Sequence, residues 1–147
     1  VDTGYNTPAT YRYIEALSAR LKLNLRAYTP HVTVARRAAR GGLPATDSPQ
    51  FSGFVHETKL EPFERAFNDL KPDVWFTGVR RDQNEFRSGL GVVSRGAQNT
   101  LRVAPVFDWN DDALAAYLGH HGVPDNEDYV DPTKPGAKLE CGLQLLK

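Results

Sequence analysis

Lys71-Pro72-Asp73-Val74-Trp75-Phe76-Thr77-Gly78-Val79-Arg80-Arg81-Asp82-Gln83 is the stretch that decides how this 147-residue chain folds. Residues 74–79 form a short apolar run after a Lys-Pro-Asp break, most simply a buried strand. The run delivers a glycine and then two adjacent arginines at its carboxyl end. Working outward, residues 60–70 place Leu60, Phe63, Phe67 and Leu70 on one side of a helix with Pro62 in its first turn. Residues 101–106 predict a second strand. Asn110 then caps a helix carrying Asp111 and Asp112 in its first turn, with Leu114, Tyr117 and Leu118 facing inward and Gly122 as its stop. Upstream, Asn6 or Thr7 caps a helix that has Pro8 at N1 and runs to about Lys22 on the stripe Tyr11, Ile14, Leu17 and Leu21. Residues 23–28 alternate like a strand, 31–40 predict a weak basic helix, and 41–58 predict a long loop. Strands alternating with helices imply an α/β fold, a mostly parallel sheet flanked by helices with right-handed crossovers. In such sheets ligands sit beyond the carboxyl ends of the strands, where Asp2-Thr3-Gly4-Tyr5 and the Arg80 loop are both expected.

The composition narrows the function classes. Apolar residues make up 40% and charged residues 24%, which suits one compact domain, and the formal net charge is zero. No global field therefore draws the chain to nucleic acid or to a membrane surface. No apolar run approaches the length of a membrane span. Locally the balance differs: Arg80, Arg81, Arg87, Arg95 and Arg102 face only Asp82 and Glu85 within residues 80–102. That patch points to a small anion more than to a polymer. A single cysteine excludes a disulfide framework, an iron–sulfur cluster held by several cysteines and a cysteine-rich zinc site, and it fits a reducing cytoplasm. His31, His56, His120 and His121 lack metal-ligand spacing. The chain contains no methionine and opens on Val1-Asp2-Thr3-Gly4 without a strand before it, so an N-terminal part is expected upstream. The expected organisation is an N-terminally incomplete nucleotide-binding domain over residues 1–125 and a mobile tail over 126–147.

Several residues could carry chemistry. Cys141 is inert filler, a surface accident or a nucleophile, and its polar setting between Glu140 and Gly142 favours the last. The planar donor forks of Arg80, Arg81 and Arg87, with Gln83 between them and Gly78 giving access to the backbone, suit phosphate or sulfate oxygens. Pairing of these arginines with Asp82 and Glu85 in a solvated loop accounts for them equally well. Lys59, at a helix start, opposes the helix dipole, and either an anionic ligand or plain surface placement explains it. Asp2 serves a nucleotide or a turn.

Taken together, the segments Val1-Asp2-Thr3-Gly4-Tyr5, Lys59-Leu60-Glu61-Pro62, Trp75-Phe76-Thr77-Gly78-Val79-Arg80-Arg81-Asp82-Gln83, Pro105-Val106-Phe107-Asp108-Trp109 and Glu140-Cys141-Gly142-Leu143 closely resemble the phosphoadenylyl-sulfate (PAPS) reductase family. Residues 31–56 and 126–138 carry little of the resemblance. It implies an adenine-nucleotide α-hydrolase-like fold and 3′-phosphoadenylyl sulfate as substrate. It also implies attack by Cys141 on the sulfate sulfur to give an S-sulfocysteine, then release of sulfite by thioredoxin or glutaredoxin. Lys59, Gly78, Arg80, Arg81, Gln83 and Arg87 match positions lining the phosphosulfate site, and Asp2, Thr3 and Gly4 match a turn on the nucleotide side. The cluster-bearing relatives use paired cysteines that this sequence lacks, so no bound cofactor or metal is expected. The family's phosphate loop should lie upstream of Val1, and Gln144 stands where the motif usually has histidine. A cytoplasmic enzyme of sulfate assimilation follows, compatible with a homodimer. The alternatives are a nucleotide-binding relative of the ATP pyrophosphatase and adenylyltransferase group, which needs no terminal cysteine, and an inactive fragment or paralogue.

Overall fold

The computed structural model describes residues 1–83, 85–96, 99–126, 131 and 133. The chain divides into two compact units, Val1–Leu70 together with Asn126, Asp131 and Thr133, and Lys71–Asp125.

The first unit is helical. Thr7 caps α1 (Pro8–Leu21) by accepting the Thr10 amide on its hydroxyl, and Lys22 closes the helix in the left-handed region. Ile14 and Leu17 are half-buried, whereas Leu21 is exposed. The helix α2 (Val34–Ala38) is shorter than residues 31–40 promised; Thr33 caps it and turns carry the chain on to Gly41 and Gly42. The segment 41–58 corrects the expectation of a loop. Its second half is α3 (Phe51–Val55) and the start of a π-helical turn (His56–Leu60), which runs directly into α4 (Glu61–Leu70). In the turn, the Glu61 amide donates to the His56 carbonyl. Phe54 and Thr58, buried one turn apart, drive this: Phe54 packs on Tyr5 and Phe51, and the Thr58 hydroxyl bonds the Phe54 carbonyl at 2.6 Å.

Residues 23–28 do not form a strand. Leu23 and Leu25 are exposed, and among the described residues this segment lies in no ladder; Tyr28 gives its carbonyl to the Asp2 amide at 2.9 Å. Alternation alone does not make a strand without a partner to take its backbone groups.

The second unit holds a three-stranded sheet in the order β1 (Val74–Phe76), β3 (Leu101–Val103), β2 (Val93–Arg95). The α/β class holds, and the sheet is mixed: β1 runs parallel to β3, with Trp75 opposite Arg102, and β2 runs antiparallel, with Ser94 opposite Arg102. The strand at 93–95 escaped the sequence reading because Gly91 and Gly96 bracket it closely. The apolar run 74–79 predicts a buried strand; instead β1 is an outer strand of the described sheet, Phe76 is 71% exposed, and Trp75 is partly covered. The core of the unit lies after β3, where Ala104 and Phe107 are almost wholly buried. The helix α5 (Glu85–Ser88) precedes β2, and α6 (Asp111–His121) closes the unit. Asn110 caps α6 on the Ala113 amide, and Gly122 ends it at φ 57°. Tyr117, expected on the inner face, is exposed instead and stacks between Trp109 and His121.

Candidate active site

The strand β1 ends where the Thr77 amide reaches the Val103 carbonyl, and Gly78 follows in open space: a Cβ there would meet nothing within 4 Å. The next residues coil into a 3-10 turn (Arg81–Gln83). Gln83 organises this turn through its side-chain oxygen, which accepts the Arg80 amide at 3.1 Å and also a bond from Arg87 Nη1. Arg80 is turned inward, its side chain only 10% exposed, with Nη2 on Asp111 and Nε 3.6 Å from Asp82. Its Nη1 is buried and has no hydrogen-bond partner among the described residues. Arg81 is tied by its amide to the Phe107 carbonyl, lies over the Phe107 ring at 4.9 Å and meets Asp108 at 2.6 Å. The structure thus places Gly78, Arg80, Arg81 and Gln83 in one loop, with Arg87 reaching it from α5 (Glu85–Ser88). Of the acids expected to neutralise it, Asp82 does so; Asp108 and Asp111 also do, which the sequence reading missed. Asp111 was assigned only to the helix dipole, and nothing local in the sequence joins it to Arg80. Asp108 and Asp111 are 59% and 88% exposed, so water screens their pull on the arginines.

Lys59 lies in the π-helical turn, inside a helical run that begins at Phe51. The argument that it opposes a helix start therefore falls, because no helix starts there. It is buried, its side chain 8% exposed, and its Nζ pairs with Asp131 at 2.9 Å. Asp131 in turn accepts the Thr133 amide and hydroxyl. Burial pushes the Asp131 carboxyl up, but the bonds from Thr133 and Lys59 and the lysine charge outweigh it and hold the group below its ordinary value. Asp131 and Thr133 were not singled out from the sequence. They lie far along the chain in a polar stretch without periodicity.

Asp2, Thr3 and Gly4 form a tight turn. One Asp2 oxygen accepts the Gly4 amide at 2.8 Å, the Asn6 amide group at 3.1 Å and the Tyr11 hydroxyl at 2.9 Å. Burial, then the bond to Asp2 and its charge, raises the Tyr11 hydroxyl. Thr3 accepts the Tyr5 amide at 3.3 Å. Gly4 adopts φ +80°, and a Cβ there would fall 2.9 Å from Val34 Cγ2, so the turn needs glycine. Asp2, Thr3, Gly4 and Lys59 belong to the first unit, and the arginine loop to the second. Cys141, with Glu140, Lys138 and Gln144, lies outside the described residues. Among the described residues no cluster of His, Cys, Asp and Glu is placed to hold a metal ion, and no helix is long and apolar enough to cross a membrane. The arginine loop is suited to holding an oxyanion: Arg80 is buried and held in place, and its Nη1 has no partner among the described residues.

Comparison with known proteins is consistent with that chemistry. Residues 1–130 match the family model described as the phosphoadenosine phosphosulfate reductase domain. The chain is 37% identical over 166 residues to the phosphoadenosine 5′-phosphosulfate reductase of Thiocapsa roseopersicina, covering 97% of this chain and 69% of that protein. It is 38% identical over 127 residues to the protein of the same name from Xylella fastidiosa strain M23, covering 84% of this chain and 52% of the relative. The crystal structure of a phosphoadenylyl-sulfate reductase from Candida auris in complex with phosphate matches with a TM-score of 0.72 at 25% identity, over 86% of this chain and 61% of that one. The chain spans about half the length of several of the curated relatives that it matches.

Proposed function

The chain belongs to the phosphoadenosine phosphosulfate reductase family, and from that premise we propose that it acts in the reduction of 3′-phosphoadenylyl sulfate to sulfite. The Cys141 thiolate attacks the sulfate sulfur, the sulfur–oxygen bond to the phosphate breaks, and adenosine 3′,5′-bisphosphate departs with that electron pair. The product is an S-sulfocysteine. A thiolate of reduced thioredoxin or glutaredoxin then attacks Cys141 Sγ and expels sulfite. The second thiol of the reductant resolves the mixed disulfide, so the reductant supplies both electrons and Cys141 returns as a thiol.

The observation that carries this reading is Arg80. A guanidinium this deeply covered, with Nη1 unanswered, fits an oxyanion that supplies the missing acceptor. Arg81, Arg87 and Lys59 would add charge against which the phosphate leaves, and Gly78 leaves the backbone approachable. Cations at such a site let an anionic thiolate approach an anionic substrate and stabilise the charge that develops on the leaving group. Asp2, Thr3 and Gly4 would shape the nucleotide side. No resident cofactor or metal enters this chemistry.

Mass spectrometry of the protein after incubation with 3′-phosphoadenylyl sulfate tests it. The expected result is one added sulfonate on Cys141, removed as sulfite when reduced thioredoxin is supplied. An unmodified Cys141 together with no sulfite would end the proposal.

A further inference from the structure

Residues 32–57 of the first unit fold around an open cleft of about 650 Å³ that the proposed reaction does not use. Arg37, in the last turn of α2, enters it with its side chain only 11% exposed. The guanidinium is fixed on two sides: it lies over the Phe54 ring at 5.2 Å, and Nη1 donates to Glu57 at 2.7 Å. The Arg37 bond holds the Glu57 carboxyl below its ordinary value, so the acid is charged at neutral pH. Nη2 of the same guanidinium is buried without a hydrogen-bond partner among the described residues, and so is the Ser48 hydroxyl. Both residues line the one cleft. A buried polar group without a partner is costly, so two residues that carry one each on the wall of the same cleft favour an occupant that bonds them.

The sign of that something follows from the charges. Arg37 and Arg40 line the cleft against Glu57 alone, which leaves one positive charge uncompensated. Its size follows from the walls. Gly41, Gly42 and Gly53 line it too, and a Cβ at any of them would meet nothing within 4 Å. Val32, Pro44 and Ala45 supply apolar surface. A volume of this order suits an organic molecule more than a bare ion, since small-molecule sites run to about 300–1,000 Å³.

We propose that this cleft binds a small organic oxyanion, its charged group on Arg37 Nη2 and Ser48 Oγ and its apolar body against Val32, Pro44 and Ala45. The site shares no lining residue with the arginine loop or with Lys59, so it stands or falls independently of the reductase reading.

Titration of protein carrying 15N-labelled arginine with phenyl phosphate, benzoate and inorganic phosphate tests it, read at the Arg37 side-chain N–H signals. A saturable Arg37 shift is expected for at least one organic probe, with Kd below about 1 mM, and roughly tenfold or weaker binding for inorganic phosphate, which lacks the apolar body. The stronger of phenyl phosphate and benzoate identifies the oxyanion as phosphate ester or carboxylate. Two variants keep the outcome separate from misfolding. Gly53→Leu fills the cleft from a helical position with free space and should fold at least as stably, yet bind the preferred probe about tenfold or more weakly. Ser48→Ala removes one hydroxyl and should weaken binding severalfold. An Arg37 signal that neither organic probe moves, equal affinity for inorganic phosphate, or Gly53→Leu binding as tightly as the parent would each overturn the site.

Discussion

A guanidinium stripped of most of its water holds its charge comfortably only when each N–H finds an acceptor, and Arg80 reaches Asp82 and Asp111 while Nη1 reaches nothing described. Replacing Arg80 with glutamine should lower affinity for adenosine 3′,5′-bisphosphate or its sulfated parent by roughly 10- to 100-fold, the worth of a charge-assisted hydrogen bond of about 1.5–3 kcal/mol; isothermal calorimetry reads it directly. Lys59 works differently. An incoming anion meets the Asp131 carboxylate already paired with Lys59, so Asp131→Asn should tighten nucleotide binding even though it removes a native ion pair. The same variant has a pH signature. Because the folded-state pKa of Asp131 is depressed, its contribution to stability is complete above the unfolded value of about 3.9 and fades as pH falls through the lower folded value. Urea midpoints of the parent should therefore drop on acidification below about pH 4 more steeply than those of Asp131→Asn. A residual slope remains in both, since Arg37 and Arg65 likewise depress Glu57 and Glu61. At this level the cations are visible in the sequence and most of their counter-ions are not. Arginines gathered behind Gly78 are visible in one line of text; that Asp111 and Asp131 answer Arg80 and Lys59 depends on folding distant segments together.

Helix ends were legible wherever a cap stated them, as at Thr7, Asn110 and Gly122, because a cap is a local hydrogen bond between neighbours in sequence. The stretch 41–58 was not, since its Gly, Pro and Ser content speaks for a loop while Phe51, Phe54 and Thr58 carry the helical spacing beneath it. Residues 23–28 failed in the opposite direction: the alternation was present, but a strand exists only through its neighbour. The Asp2–Gly4 turn gives the sharpest test of how local geometry holds elements together. Gly4→Ala must either tolerate the positive φ or press its Cβ against Val34 at the start of α2. Destabilisation of roughly 1–3 kcal/mol is expected by urea denaturation, and a loss within experimental error would mean that the turn relaxes freely.

The whole chain carries zero formal net charge and displays apolar side chains at its surface, among them Leu23, Leu25, Val93 and, most openly, Phe76. Phe76 lies on β1, the outer strand of the described sheet beside β3, and an outer strand is where another chain can add. Without net charge nothing opposes that approach at neutral pH. Solubility should therefore pass through a minimum near neutral pH, and Phe76→Lys should raise it and reduce self-association by light scattering, with little change in the unfolding midpoint. One last matter concerns the π-helical turn at His56–Leu60. A π-helical turn takes up one residue more than an α-helical turn does, so Phe54 and Pro62 keep the angular phase of an α-helix that carries a single inserted residue. Swapping exposed His56 for another helix former preserves that phase. Deleting it would let the turn close into regular α-helix with its two halves facing much as before, while Lys59, which sits inside the turn, would lose the position that the extra residue gives it.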